Sequence, residues 1–125
     1  MSQSSEASTN PLIESDRVEG TSVHGSDGQY IGVIKRLLIE KVSGQVVYAV
    51  VEFGGHLGFG KGRHTIPWPK LTYDTSLGGY HADVSEHEIQ GAPDITRDEN
   101  YDRLDRDAEE ELHAYFRIPP YWRGI

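Results

Sequence analysis

Hydrophobic positions crowd most densely between Val46 and Phe53, where β-branched and aromatic residues are interrupted only by Ala49 and Glu52. Such a run fits a pleated, largely buried surface and predicts a core strand. Gly54 and Gly55 stop it, because glycine enters positive-φ backbone cheaply. Five glycines between Gly54 and Gly62 leave few side chains to pack. That segment reads as a loop lying against something, or a mobile lip. Arg63 to Ile66 resumes extended structure and Pro67-Trp68-Pro69 ends it. Both prolines lack an N–H, which marks a strand end or a sheet edge. The remaining chain reads as strands wrapped around this hairpin.

Arg17 to His24 is predicted as a first strand, followed by a turn at Gly25-Ser26-Asp27-Gly28, since Asp-Gly favours tight hairpins. From Gln29 to Glu40 apolar residues recur in pairs, and strict alternation fails. Positions 30, 34, 37 and 38 could suggest a helix. Gly32 inside and hairpin turns at both ends favour a long bent strand, with Gly32 at a bulge or tight corner. Val42-Ser43-Gly44 turns the chain into the central hairpin. Leu71 to Asp74 is short and extended, and Ser76-Leu77-Gly78-Gly79 is a turn. Tyr80, Ala82 and Val84 share one face of a half-buried strand, with His81 and Asp83 on the other. Ser85 and Glu88 match a capping box, Ile89 anchors one helical turn, and Gly91-Ala92-Pro93 ends it. Short strands at close spacing with glycine turns predict a small antiparallel barrel or sandwich.

The pattern changes after Pro93. Residues Asp94 to His113 include nine acidic side chains and three arginines. Thr96 and Glu99 offer a further capping box. Tyr101, Leu104, Ala108, Leu112 and Tyr115 recur at helical spacing, with Phe116 alongside. Ile118-Pro119-Pro120-Tyr121-Trp122 is an aromatic extended finish, since proline bars further helix. The apolar stripe of this helix needs a surface. Either its own barrel or a second protein could supply one.

With 125 residues, one domain is expected. The net charge of −8 repels phosphate backbones and anionic membrane surfaces. The absence of cysteine excludes disulfides, thiolate catalysis and zinc–thiolate sites. Residues 1–11 are polar and serine-rich, without a basic or apolar region of a secretory signal, and are expected to form a flexible leader. No apolar run is long enough to span a bilayer. A cytoplasmic protein is expected.

Candidate chemistry changes this picture little. Gly55 to Gly62 nearly spells a phosphate-binding loop. Gly62 stands where a Ser or Thr hydroxyl should hold magnesium, and a strand follows where a helix is needed. The six histidines form no tight ligand pattern. His81, Asp83 and His87 could converge with His56 or His64 only through the fold. The carboxylates of Asp105 to Glu111 read as a solvated helix face rather than an acid–base pair. Trp68 could be a ligand platform, but a ring of that size between prolines fits better as a plug at one end of a barrel. No catalytic, cofactor or metal site is expected.

Leu12-Ile13, Asp27-Gly28-Gln29-Tyr30-Ile31-Gly32, Leu37-Leu38-Ile39-Glu40, Gly44 to Val51, Gly54 to Gly58, Ile66-Pro67-Trp68 and Gly91-Ala92-Pro93 occur in an order that resembles PRC-barrel domains. The family is named for the cytoplasmic domain of the photosynthetic reaction-centre H chain. A related barrel forms one domain of the ribosome maturation factor RimM. The resemblance implies a mainly β fold: a small, strongly bent antiparallel β-barrel over 12–93, followed over 94–125 by an amphipathic α-helix and an extended aromatic tail. It also implies binding rather than catalysis. The leading expectation is therefore a non-catalytic interaction or assembly module that self-associates as a homodimer. The candidate contact residues are His56, Leu57, Phe59, Lys61, Trp68, Tyr115, Phe116, Tyr121 and Trp122. One alternative is a soluble H-chain-like factor in photosynthetic assembly or proton delivery. Another is a ribosome-assembly or RNA-processing accessory, which the acidic charge disfavours.

Overall fold

The computed structural model describes residues 11–55, 61–93, 95 and 105–123. A one-turn helix, α1 (Ser15–Val18), precedes β1 (Ser22–His24). β2 (Tyr30–Ile39), β3 (Val46–Gly54) and β4 (Lys61–Pro67) follow as an antiparallel meander. A 3-10 turn, Trp68–Lys70, leads to β5 (Leu71–Asp74) and β6 (Gly79–Ala82). Two helices complete the chain: α2 (Glu86–Gly91) and α3 (Arg106–Phe116), with a last 3-10 turn at Tyr121–Arg123. The capping box at Ser85 and Glu88 forms as expected, and Ile89 is fully buried beneath it.

The expected first strand is shorter than its sequence suggests. Glu14 O accepts the N–H groups of both Arg17 and Val18 at 2.9 and 3.2 Å. The segment therefore satisfies its backbone locally as helix, and Val18 is turned into the core. The long strand from Tyr30 does form, and bulges bend it. Val23 pairs with Gly32 but His24 with Tyr30, so Ile31 is the extra residue; Lys35 is skipped in the same way opposite β3. Gly32 lies beside the first bulge for a steric reason. A Cβ there would overlap the carbonyl oxygen of Glu52 on β3.

The sheet has six strands in the order β4-β3-β2-β1-β6-β5. Two features correct the expectation of a closed antiparallel barrel. β1 and β6 pair in parallel, Val23 with Tyr80 and His24 with His81. Among the described residues the sheet also keeps two edges, β4 and β5. Pro67 and Pro69 cannot donate where these strands meet, so no ladder passes through that corner.

The sheet is nevertheless rolled. Its edge strands are consecutive in the chain, joined only by Trp68–Lys70. Five inter-strand gaps of about 4.8 Å would set the edges of a flat sheet about 24 Å apart. The four Cα–Cα steps from Pro67 to Leu71 reach only about 14 Å. The half-buried Trp68 sits at this seam, its ring 5.4 Å from that of Tyr80 on β6. It packs against the core at the corner of the curled sheet. Inside lie Val23, Ile31, Ile34, Ala49, Val51, Phe53 and Ile66, all but excluded from solvent.

Candidate functional site

Strand β3 is covered on both faces, and this decides where the acidic helix goes. Ala49, Val51 and Phe53 alternate with Tyr48, Val50 and Glu52. Tyr48 and Val50 are as deeply buried as the residues of the opposite face. Their cover is α3. Asp105 caps it by accepting the N–H of Asp107 at 3.1 Å. Glu109, Leu112, His113 and Phe116 then fall on one stripe, and all four are buried. Leu112 and Phe116 join the apolar cluster of the sheet. The helix thus docks on its own chain, which answers the alternative left open by its sequence.

Glu109 and His113 are the polar half of that stripe, and both meet Tyr48. The Tyr48 hydroxyl donates to Glu109 Oε1 at 2.8 Å and lies 2.8 Å from His113 Nε2. Tyr121 donates to the same carboxylate oxygen at 2.8 Å. Arg106 Nε faces Glu109 Oε2 at 3.4 Å, and its guanidinium lies 3.9 Å above the Trp122 ring. His113 Nδ1 contacts the carbonyl of Ile118 at 3.0 Å. Burial, reinforced by the bond to Glu109, pushes the Tyr48 phenol well above its ordinary range. The same causes raise Tyr121 to about 12. This cluster escaped sequence reading because Glu109 lies within an acidic run taken as a solvated face. The available signal was the i, i+4 spacing of Glu109 and His113 on the side of Leu112 and Phe116.

At the end of α3 the chain turns sharply. Arg117 adopts φ 60°, ψ 40°, the left-handed region that glycine normally occupies. Its N–H reaches Ala114 O at 3.3 Å, and Ile118 N–H reaches His113 O at 3.0 Å. Two shallow grooves flank this corner and share Arg117 and Ile118. One, of about 510 Å³, also has Lys70, Glu88, Tyr115 and Phe116 in its walls. The other, of about 450 Å³, runs past Glu110, His113, Ala114, Pro119 and Pro120.

The structure separates the candidate contact residues. Tyr115 is half-buried, and its hydroxyl donates to Glu88 O at 2.8 Å, tying α3 to α2. Phe116 is inside the core, whereas Tyr121 and Trp122 are half-buried against α3. Lys61 is exposed at the head of β4, on the far side of the sheet order from Trp68's partner strand β6. His56, Leu57 and Phe59 lie outside the described residues, as do Tyr101, Leu104 and the Thr96–Glu99 capping pair.

A second polar cluster sits at the other sheet edge. His81 places Nδ1 3.0 Å from Gly25 O and Nε2 3.0 Å from Asp74 Oδ2. Asp74 also closes its own turn, accepting from the Ser76 hydroxyl at 2.6 Å and the Ser76 N–H at 2.8 Å. These bonds, the hydroxyl first, hold its carboxyl below the usual range. Among the described residues, no group of three or more His, Asp or Glu side chains converges as a metal site.

The PRC-barrel domain model matches residues 11–88, well over half of the chain. The chain belongs to the PRC-barrel domain family. A solved structure described as a 16S ribosomal RNA processing protein RimM, from Pseudomonas aeruginosa, is similar at 22% identity and a TM-score of 0.45. The likeness covers 64% of this chain and 48% of that one, so this PRC-barrel protein spans about half the length of that structure. No curated protein matches it. The family match ends before α3, which lies outside the matched residues. Among the described residues, no helix is long and apolar enough to cross a membrane.

Proposed function

We propose that this PRC-barrel protein is a non-catalytic, cytoplasmic interaction module that binds another protein through the corner between α3 and the tail. The observation that carries this reading is Arg117. An arginine held in left-handed backbone costs about 1 kcal/mol relative to glycine, and its position is common to both grooves. Strain of this kind accumulates where a side chain is needed for function. The grooves are shallow, with apolar floors from Phe116, Ile118 and Pro120 and charged rims from Lys70, Arg117, Glu88 and Glu110. That composition suits a protein surface better than a small substrate. A second copy of the chain is the first partner to consider, giving a homodimer. The net charge of −8 opposes an RNA partner.

The test compares the wild type with Arg117→Glu, using Arg17→Glu as a control of equal charge change outside the grooves. Sedimentation across concentrations reports self-association, and affinity capture followed by mass spectrometry reports other partners. An association lost in Arg117→Glu and kept in Arg17→Glu supports the reading. A monomer at every concentration whose captured proteins are the same in both variants overturns it.

A further inference from the structure

Proton accounting in the Tyr48 cluster leads beyond binding. A backbone carbonyl only accepts, so His113 Nδ1, 3.0 Å from Ile118 O, carries a proton. The Tyr48 hydroxyl has one proton and two neighbours at 2.8 Å, Glu109 Oε1 and His113 Nε2. Glu109 Oε1 also receives the Tyr121 hydroxyl, and Oε2 faces the Arg106 guanidinium. Such donors select a carboxylate. The Tyr48 proton then lies toward Glu109, and Nε2 must bring a proton of its own. A neutral imidazole opposite a protonated Glu109 would give up the charge that faces Arg106.

We propose that Tyr48, Glu109 and His113 form a proton-dependent latch, with His113 carried as an imidazolium, that holds α3 and the aromatic tail on the sheet. Removing one proton leaves two 2.8 Å contacts and a single hydrogen to fill them. One contact then becomes an opposition of lone pairs. Tyr48 is 1% and His113 4% exposed, so water does not replace the lost bond in the closed state. The relief is movement of α3.

Each surrounding element contributes charge to this balance. α3 supplies Arg106 and Glu109, with Glu110 and Arg117 in the groove beside His113. β3 supplies the Tyr48 phenol and the tail supplies Tyr121. Glu40, at the β2–β3 turn, acts on Tyr121 through space. These are the charged and titratable groups that stand around the ring. Opening α3 would uncover Tyr48 on the sheet, and would dismantle the grooves at Arg117. The latch thereby makes groove formation depend on whether that proton is present.

The experiment is a titration of the full chain between about pH 5.5 and 9. Nitrogen-15 NMR reads the two ring nitrogens of His113. Amide exchange at Leu112 and Phe116, corrected for base catalysis, reads helix opening. The latch predicts two protonated nitrogens at the acidic end. The ring then loses a proton in the same step in which protection falls roughly tenfold, about one net hydrogen bond. In Tyr48→Phe the ring still titrates, but protection no longer follows it. A ring that is neutral throughout, or wild-type protection unmoved across the ring's step, overturns the proposal.

Discussion

The two histidine clusters use the same bonds and are worth different amounts. His81 and His113 each direct Nδ1 at a backbone carbonyl and Nε2 at an oxygen that leads to a carboxylate, Asp74 directly and Glu109 through Tyr48. The side chains of His81 and Asp74 remain 34% and 28% exposed, so solvent can take over from either partner. His113, Glu109 and Tyr48 are almost completely withdrawn from water. Burial, rather than bond count or length, therefore separates a pin that trims a loop from one that carries a helix. An exposed ion pair contributes little, whereas a buried one is costly to break because its surviving half is stranded.

The sharpest way to break the comparison is truncation on each side. Glu109→Ala strands the donors of Tyr48, Tyr121 and Arg106, and should lower stability by about 3–5 kcal/mol in urea unfolding. His81→Ala should lie within about 1 kcal/mol of wild type. Equal losses would remove burial as the explanation. Next in size is Tyr48→Phe. It keeps the ring and its packing but cuts both polar links, with an expected cost of about 1–3 kcal/mol. A neutral result would mean that the aromatic contacts alone seat the helix.

Alkaline pH sharpens the contrast without a mutation. Tyr48 and Tyr121 hold their protons more tightly in the folded state than in the unfolded chain. The folded protein therefore binds more protons once the unfolded phenols ionise near pH 10. The contribution of Tyr121 is complete below about pH 10 and is lost as pH rises toward about 12, while that of Tyr48, held higher, is still being lost there. Denaturation midpoints measured from pH 8 to 12 should fall over this window and fall less in Tyr121→Phe. The smallest effect belongs to Asp74, whose carboxyl is held low by the Ser76 hydroxyl. Its contribution is present above the ordinary carboxylate range and disappears as pH drops through its lowered folded value. Asp74→Asn should flatten the acid limb of the stability profile slightly and leave the alkaline limb untouched.

What sequence alone revealed divides along the same line, between local and distant partners. The strand Val46–Phe53, the turn at Asp27-Gly28 and the capping box of Ser85 with Glu88 are set by neighbours in the chain, and each appears where it was expected. Gly32 was correctly assigned to a bend, although its reason, the Glu52 carbonyl on another strand, is invisible in one dimension. The parallel pairing of Val23 with Tyr80 could not be read, because a two-residue strand contact leaves no periodic trace. The inward turn of Glu109 left only its helical spacing from His113 as a trace, because in composition it is identical to its solvated neighbours Glu110 and Glu111. Of the candidate contact residues, Phe116 was legible as apolar surface but not as surface already consumed by its own sheet.

The wide separation of the pairings that complete this sheet imposes an order on its assembly. The β2–β3–β4 meander joins neighbours, whereas the contact of His81 with Gly25 closes a loop of 56 positions and that of His113 with Tyr48 one of 65. Loop-closure entropy delays such contacts until other structure shortens the path. The meander should therefore form the folding nucleus, with α3 laid down last. Refolding kinetics would show it: Val51→Ala should slow folding, while Leu112→Ala should mainly hasten unfolding. The opposite pattern would place the helix in the nucleus. A late-arriving element is also an early-departing one, so a chain held by its final fastening gives up that fastening first and keeps the rest of its architecture while doing so.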